Sequence, residues 1–321
     1  MPTACPSVPM ISVVICTHNP RRDYLQASLD GLRKQTLPAT DWEFLLVDNG
    51  STPALGGEID LSGLPAARIV REEELGLTPA RQRGLAEARA EIVLYVDDDN
   101  VLDPDYLAHV ARMGREWPML GAWGSGELRG VFETPPPAWM EPHLWYVTVH
   151  RVEKDIWSNQ PDMNCFPPGA GLAVRKAAAQ PYFAAVKQDA FRRSLDRRGN
   201  NLSSSGDMDL LWTMTENGWG VGRFTGLKLQ HLIAGRRLEE GYFQRLIANQ
   251  WCSNVLLKYL HGVREVEGKE SLLRRISRQR YERSLDERSR WLAQAERKGR
   301  LHAAEIIAEV EKGNRGVRQS I

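Results

Sequence analysis

The first hundred residues alternate between short apolar, β-branched runs and helical patterns, and this alternation constrains the fold more than any other feature of the sequence. Continuous apolar runs are typical of strands that are covered on both faces. Strands that alternate with helices predict right-handed crossovers and an α/β fold with a mainly parallel sheet flanked by helices. The predicted strands are residues 11–16, 42–47, 67–71 and 91–96.

Helical patterns separate these strands and continue beyond them. Thr78 and Pro79 predict an N-cap followed by proline at the first helical position of a helix that ends near residue 90. From Leu238 onward the sequence is helical and increasingly charged, whereas the polar stretch 197–206 has the composition of a loop. The other predicted helices are residues 20–35, 104–117, 177–195 and 207–217, and two late strands are residues 219–224 and 227–233.

Polar clusters follow three of the first four strands. The carboxyl ends of parallel strands meet at one edge of a sheet, where the ligand crevice of such folds lies, so these clusters are expected to converge. They are Thr17-His18-Asn19, Asp48-Asn49-Gly50-Ser51 and Asp97-Asp98-Asp99.

The composition excludes several classes of protein. The 42 basic and 41 acidic side chains nearly cancel, so no global field favours nucleic acid. No apolar run approaches the roughly 20 residues that span a bilayer. The four cysteines are far apart, which disfavours a zinc site or a disulfide framework and favours a reducing cytoplasm. Seven of the ten tryptophans lie between Trp117 and Trp219, either as buried core or as a surface that stacks on sugars.

The acidic triplet at residues 97–99 is the most informative cluster. Three adjacent carboxylates after a buried strand repel one another unless a cation or solvent screens them. Oxygen-rich acidic sites suit Mg²⁺ or Mn²⁺, which carboxylates hold together with substrate phosphates. A divalent-metal site is therefore predicted, with a solvated turn as the alternative. The other two clusters are weak signals alone, because Asp-Asn-Gly is also a generic turn and a histidine such as His18 commonly makes a local hydrogen bond.

Taken together and in this order, these segments resemble the family-2 glycosyltransferases, which are nucleotide-sugar-dependent enzymes of GT-A fold. The resemblance covers about residues 10–235, and the segments that carry it are ISVVICTHNP, FLLVDNGST, LGLTPARQRGLAEARAEIVLYVDDDN and the later SGDMDLLW and ENGWG. Its most specific part matches the family at Gly76, Ala80, Arg81, Gly84, Ala88 and Asp97-x-Asp99.

The resemblance implies a nucleotide site at the sheet edge. It places Thr17, His18 and Asn19 along the nucleobase pocket. It gives Asp48 a hydrogen bond to the base and places Arg81 near the base and ribose. A surface ion pair on its helix is the alternative for Arg81.

A metal-bound diphosphate is implied as well. Asp97 would contact the ribose or a metal-bound water, with Asp98 beside it in the nucleotide site, and Asp99 would ligate Mn²⁺ or Mg²⁺. The motif also makes Asp97 a candidate metal ligand. His231 matches a histidine that reaches the metal in related enzymes, and a core histidine is the alternative.

The later acidic motif of the family implies a catalytic base. Asp207 takes the place of the catalytic aspartate, and Asp209 is a second candidate. Gly206 stands where the family usually has Glu, and Thr213 stands where Arg is common, so the match is weaker here. The alternative role for Asp207 is to cap its helix.

The implied reaction is an inverting glycosyl transfer. A divalent ion and a clamp of Arg236 and Arg237 would stabilise the departing nucleoside diphosphate, while Asp207 removes the proton of an acceptor hydroxyl. The family uses UDP, GDP and dTDP sugars, of which UDP is favoured, and the acceptor would be a glycan, a polysaccharide or a lipid-linked molecule. The alternatives are a sugar-1-phosphate nucleotidyltransferase, which usually has a Gly-rich loop that is missing here, and a degenerate member that only binds sugar or a partner.

The chain is predicted to have two parts. Residues 1–235 would form the catalytic domain, with a nucleotide-binding half at 1–103 and an acceptor-binding half at 104–235, and residues 236–321 a helical extension. Residues 264–321 carry 15 basic and 10 acidic side chains. This pattern suits an amphipathic helix on an anionic membrane surface, or helices that pack on the catalytic domain or on a second subunit. Interleaved glutamates favour packing or a homo-oligomer, and the expected location is the cytoplasm, including the inner face of the membrane.

Overall fold

The computed structural model describes residues 8–193, residue 195, residues 205–263 and residues 272–318. Most of the predicted loop at 197–206 lies outside these residues. The strands are β1 Ile11–Thr17, β2 Trp42–Asn49, β3 Arg68–Glu72, β4 Ile92–Val96, β5 Asn100–Leu102, β6 Leu120–Phe132, β7 His150–Arg151, β8 Ile156–Ser158, β9 Leu172–Arg175 and β10 Gly220–Ile233. The helices are α1 Arg22–Arg33, α2 Leu77–Glu87, α3 Tyr106–Glu116, α4 Lys176–Gln188, α5 Ala190–Arg193, α6 Gly206–Glu216, α7 Glu240–Leu260, α8 Leu272–Ser284 and α9 Glu287–Arg318.

The ten strands of the described residues form one mixed sheet, in which eight follow the order β3-β2-β1-β4-β9-β6-β10-β5, while β7 pairs with β6 and β8 with β10. β1 pairs in parallel with β2 and β4, β2 pairs in parallel with β3, and β6 pairs in parallel with β10. β9 runs antiparallel between β4 and β6, and β5 runs antiparallel to β10. The predicted α/β fold with a mainly parallel sheet is confirmed, and the carboxyl ends of β1, β2 and β4 lie at one edge.

The apolar run of β1 contributes side chains to the hydrophobic cores on both faces of the sheet. Val13 and Ile15 pack with residues of α1 and α3 such as Leu29. Val14 lies in the other core, with residues of α2, α4 and α6 such as Leu85. Successive strand residues point to opposite faces, so a continuous apolar run buries both faces of the sheet. Each such side chain stabilises the fold by about 1.5–3 kcal/mol relative to an exposed one.

The start of α2 differs from the prediction. The helix begins at Leu77 and its N-cap is Gly76, at φ 141°, so the predicted N-cap role of Thr78 is wrong. A positive φ of this size is a conformation that side chains rarely adopt, which explains the glycine. Thr78 Oγ1 lies instead 3.5 Å from the hydroxyl of Tyr182.

The two late strands of the prediction are a single strand, β10, with an irregularity in its middle. The register of β10 against β6 shifts between Phe224 and Lys228. The amide and hydroxyl of Thr225 donate to Asp155 Oδ1 at 2.8 and 2.7 Å. The Asp155 carboxylate thus accepts a hydrogen bond from a backbone amide that lies outside the regular pairing of β10 with β6. The segment around Thr225, which has the composition of a turn, therefore remains within the strand.

The C-terminal helix α9 packs on α7 and on the 3-10 helix Ala138–Val147. The ring of Trp291 lies edge-on to Trp139, with centroids 5.6 Å apart. Further along, Ala303 and Ile307 share a buried cluster with Cys252. The packing that the sequence favours is therefore present for α9, whereas the domain boundaries and a homo-oligomer stay predictions.

Helix α8 carries exposed basic and apolar side chains. Arg275, Arg280 and Arg283 are exposed, as are Ile276 and Tyr281. In the part of the chain that the structure describes, no helix combines the length and the apolar character needed to cross a membrane.

Candidate active site at the sheet edge

A cavity of about 560 Å³ opens at the carboxyl ends of β1, β2 and β4. Hydrogen bonds join the three polar clusters there, as the parallel strand order predicts. Thr17 Oγ1 donates to Asp98 Oδ2, His18 Nδ1 donates to the Asn49 carbonyl at 2.7 Å, and the Asn19 amide donates to Ser51 Oγ at 2.9 Å.

Most of the predicted site residues line this cavity. Those that do are Thr17, His18, Asn19, Arg81, Asp97, Asp98, Asp99, Asp207, His231, Arg236 and Arg237. Asp48 and Asp209 are not among the lining residues. The roles of all these side chains stay predictions, but the structure brings eleven of the thirteen to one place.

Asp48 is the last residue but one of β2 and is turned away from the cavity. Its carboxylate accepts hydrogen bonds from the amides of Ser51 and Leu55, each at 3.0 Å, and from Arg71 Nη1 at 2.6 Å. Burial raises the pKa of Asp48, but these hydrogen bonds outweigh burial and lower the pKa below its usual range. The neighbouring Asn49 lines the cavity instead, because successive strand residues point to opposite faces. A contact between Asp48 and a base would have to replace one of these bonds.

The acidic triplet is partly neutralised by its own surroundings. Burial, together with the neighbouring charge of Asp99, raises the pKa of Asp98 to about 7. The hydroxyl of Thr17 opposes this rise in the pKa of Asp98 by donating to its carboxylate. Asn100 Nδ2 donates to Asp99 Oδ1 at 3.0 Å. Near pH 7 the triplet therefore carries less than three full negative charges. This reduces the repulsion between the three neighbouring carboxylates.

Strand β10 brings His231 beside the triplet. His231 pairs with Asn100 in the β10–β5 ladder, and its Nε2 lies 3.4 Å from Asp99 Oδ2. A carboxylate oxygen and an imidazole nitrogen at this separation fit two ligands of one Mn²⁺ ion. Among the described residues, no three His, Cys, Asp or Glu side chains are grouped to hold a metal. Asp99 and His231 thus fit part of a ligand set, which water and phosphate oxygens would complete.

Asp207 faces the cavity from the first turn of α6. Ser205 is the N-cap of this helix, so the alternative that Asp207 is the cap is wrong. Asp207 Oδ2 accepts a hydrogen bond from the Gly169 amide at 2.9 Å. A Cβ on Gly169 would lie 2.9 Å from that oxygen and closer still to Arg81 Nη2. A glycine at this position therefore lets the carboxylate of Asp207 and the guanidinium of Arg81 approach the same stretch of backbone.

Asp209 lies on a different face of α6, in a buried polar cluster. Its side chain is 0% exposed, and its Oδ1 is 2.9 Å from His261 Nε2 and 3.3 Å from Arg192 Nη1. The imidazole of His261 stacks on Trp212 with ring centroids 4.7 Å apart. Residues two apart on a helix are turned by about 200°, so only one of the two aspartates can face the cavity. The geometry favours Asp207 as the residue that reaches a substrate.

Several cavity residues were missed by sequence reasoning. Arg21 and Tyr24 line the cavity from the start of α1. Arg21 Nη1 bonds to Glu133 Oε1, and Glu133 Oε2 accepts from the Gly235 amide at 2.8 Å. The glycines and prolines at 167–171 mark a turn that carries Gly169, but no local signal places this turn beside Asp207. These contacts join segments that are far apart in the sequence.

The tryptophans do not form the wall of the cavity. None is among the cavity-lining residues in the ranges that the structure describes. Trp42, Trp123 and Trp212 are buried, whereas Trp145 and Trp157 are exposed. The core interpretation therefore holds for the first three, and a sugar-stacking role stays a prediction for the exposed pair.

Comparisons with known proteins identify the family of this chain. Residues 12–171, about half of the chain, match the model of the family described as glycosyl transferase family 2. Validoxylamine A glucosyltransferase of Streptomyces hygroscopicus subsp. jinggangensis is 32% identical over 113 residues, which cover 34% of this chain and 26% of that protein. Dodecaprenyl-phosphate galacturonate synthase of Rhizobium johnstonii is 30% identical over 109 residues, 32% of each chain. The crystal structure of residues 1–349 of S. aureus TarS is 15% identical, covers 93% of this chain and 91% of that one, and superposes with a TM-score of 0.45.

The chain belongs to glycosyl transferase family 2, and the resemblance seen in its sequence is confirmed. Its sheet and flanking helices are the GT-A architecture that the resemblance implies. The matched segments span about a third or less of the length of these curated relatives.

Proposed function

We propose that this chain transfers a sugar from a nucleoside-diphosphate sugar to a hydroxyl acceptor, with inversion at the anomeric carbon. The observation that carries the proposal is that the polar ends of β1 and β4 share one cavity with the Asp207 carboxylate in a family-2 chain. The donor is a UDP sugar, and the acceptor is a glycan, a polysaccharide or a lipid-linked molecule.

Asp207 is the proposed base. The amide of Gly169 fixes one carboxylate oxygen, and the side chain remains partly exposed to the cavity. From this position it takes the proton of the acceptor hydroxyl as that oxygen attacks the anomeric carbon from the face opposite the leaving group.

The cationic side chains of the cavity are proposed to stabilise the departing diphosphate. Arg81 is buried at the cavity wall, and Arg236 is exposed at its rim. Guanidinium groups offer paired N–H donors to phosphate oxygens, and such preorganised donors stabilise charge that develops in a transition state. A divalent ion, held by Asp99 and His231, would add Lewis-acid stabilisation of the diphosphate when bound.

A panel of nucleotide sugars tests the proposed activity. UDP, GDP and dTDP sugars are combined with Mn²⁺, Mg²⁺ or EDTA, and thermal shift and release of nucleoside diphosphate are measured. A UDP sugar with Mn²⁺ is expected to raise the melting temperature and to release UDP. Release of pyrophosphate from a nucleoside triphosphate and a sugar phosphate would identify a nucleotidyltransferase instead. A thermal shift without release, with any acceptor offered, would identify a protein that only binds.

Gly169→Ala is expected to reduce turnover by roughly 10²-fold, the cost of misplacing a catalytic group by about 1 Å. The added Cβ would collide with the ends of the Asp207 and Arg81 side chains and move both. The melting temperature should change little, because these ends can shift without disturbing the core. Gly57→Ala is the matched control, since a Cβ at Gly57 meets nothing within 4 Å. Steady-state release of nucleoside diphosphate measures the effect, and equal turnover in the two variants would contradict the expectation.

Peripheral contact with an anionic membrane is proposed for α8. Its exposed arginines and apolar side chains suit the surface of a bilayer that contains anionic lipids. Replacing Arg275, Arg280 and Arg283 by Gln should abolish co-sedimentation with vesicles of phosphatidylglycerol. Replacing three other exposed arginines by Gln removes the same charge elsewhere and is the control; these are Arg22, Arg112 and Arg151. If the wild-type protein does not co-sediment with anionic vesicles at low salt, α8 has no such role.

A further inference from the structure

A single guanidinium nitrogen lies between the two side chains that fit the metal. Arg237 Nη1 is 3.4 Å from Asp99 Oδ2 and 3.1 Å from His231 Nε2. These two acceptor atoms are themselves 3.4 Å apart. The side chain of Arg237 is 14% exposed and that of Asp99 23%, so the contact is partly shielded from solvent.

The hydrogen-bonding chemistry of a guanidinium group determines the role of Arg237 Nη1 in this contact. A guanidinium has only N–H donors, so Nε2 of His231 is the acceptor of this contact. The lone pair on His231 Nε2 and a lone pair on Asp99 Oδ2 therefore both point at Arg237. A divalent ion would take the same two lone pairs. The ion and the Arg237 guanidinium thus exclude one another at this position, through competition for ligands and through like charge.

We propose that Arg237 is an internal counter-cation that occupies the Asp99–His231 pair and makes binding of a divalent ion conditional on a diphosphate. The inference rests on the proposed function in assuming that this pair ligates the ion. A diphosphate in the cavity offers the guanidinium paired, fully charged acceptors, which match its planar donors better than one imidazole nitrogen and one carboxylate oxygen. Arg237 then moves to the diphosphate and releases the pair to the ion.

The local structure allows such a movement. Arg237 lies in the short 3-10 turn Gly235–Leu238 that follows β10, and the turn is attached to the sheet edge by the Gly235–Glu133 hydrogen bond. Arg237 Nε is buried and makes no hydrogen bond within the described part of the chain. The side chain is thus held mainly by its contact with Asp99 and His231, and a competing anion can draw it away without breaking a backbone element.

Binding of Mn²⁺ in the absence and presence of UDP tests the proposal. Titration calorimetry is performed on the wild type, on Arg237→Met, which keeps an unbranched apolar side chain but removes the charge, and on Arg112→Met as a control on α3, outside the cavity. Without UDP, Arg237→Met should bind Mn²⁺ roughly tenfold more tightly than the wild type, within the range of typical coupling between two ligands. Arg112→Met should bind Mn²⁺ as the wild type does. With saturating UDP, the gap between the wild type and Arg237→Met should close.

The controls separate failure of this inference from failure of the proposed function. In the double variant Asp99→Asn, Arg237→Met the gain in affinity should disappear, which shows that the ion binds at this pair; a gain that persists overturns the inference. If the wild type binds Mn²⁺ with UDP but Arg237→Met gains nothing without UDP, the inference is wrong and the metal site stands. An equal gain in Arg112→Met would reduce the effect to general charge and overturn the inference. If no variant binds Mn²⁺ under any condition, the proposed metal site itself is wrong. Thermal unfolding of each variant confirms that it is folded.

Discussion

Asp207→Asn is expected to reduce turnover by roughly 10²-fold or more while leaving the affinity for the nucleotide sugar near that of the wild type. The amide keeps the shape of the side chain but cannot take a proton from an acceptor hydroxyl. It can still accept the hydrogen bond that Asp207 Oδ2 receives from Gly169 at 2.9 Å, so the loop at 167–171 should keep its place. Turnover is measured as release of nucleoside diphosphate with saturating acceptor, and affinity by titration calorimetry.

Asp209→Asn is the matched control on the same helix. Asp209 is fully buried beside His261 and Arg192 and does not line the cavity. Removing its charge should lower the melting temperature, because the guanidinium of Arg192 would then face a neutral amide in a buried site, but turnover per folded molecule should fall much less. An inactive Asp209→Asn beside an active Asp207→Asn would show that the two aspartates have been assigned in the wrong order.

Asp99→Asn is expected to weaken binding of UDP in the presence of Mn²⁺ by about 10-fold to 100-fold, which corresponds to losing a charge-assisted contact of about 1.5–3 kcal/mol. Without Mn²⁺ the variant and the wild type should bind UDP with similar affinity. The fold should persist, since the Asp99 side chain is partly exposed at the sheet edge. Calorimetric titration of UDP, with Mn²⁺ and with EDTA, measures both affinities.

Asp103→Asn controls for the loss of a nearby negative charge. The carboxylate of Asp103 pairs with Arg129, and Asp103 does not line the cavity. Its replacement should leave the effect of Mn²⁺ on UDP affinity intact. Equal Mn²⁺ dependence in the wild type and in Asp99→Asn would remove Asp99 from the metal site.

The convergence of the polar clusters could be predicted from sequence because it depends on local pattern and on one topological rule. The apolar runs specify strands, the helical segments between them specify parallel crossovers, and parallel strands bring their carboxyl ends to one edge. The contacts of Thr17 with Asp98 and of Asn19 with Ser51 follow from this. The family resemblance added Arg81, Asp207 and the residues after β10.

Which member of a neighbouring pair reaches the cavity could not be predicted in the same way. Asp48 and Asn49 are both polar and both end β2, but the strand alternation turns Asp48 toward Arg71 and leaves Asn49 at the cavity. Asp207 and Asp209 are both acidic and both open α6, but the helix rotates Asp209 toward His261. Both members of each pair are polar and lie at the end of the same element, so only the packing partners decide which one reaches the cavity.

The sequence by itself determined β1 to β4, their parallel direction and the edge at which a site would form, because these depend on periodicity within short segments. Only the tertiary structure placed Arg237 between Asp99 and His231 and set Gly169 against Asp207 and Arg81. Residues 99 and 231, or 81, 169 and 207, have no periodic relation along the chain. Their contacts depend on the pairing of β10 with β5 and on the fold of the turn before β9, and both are fixed by long-range packing of the whole sheet.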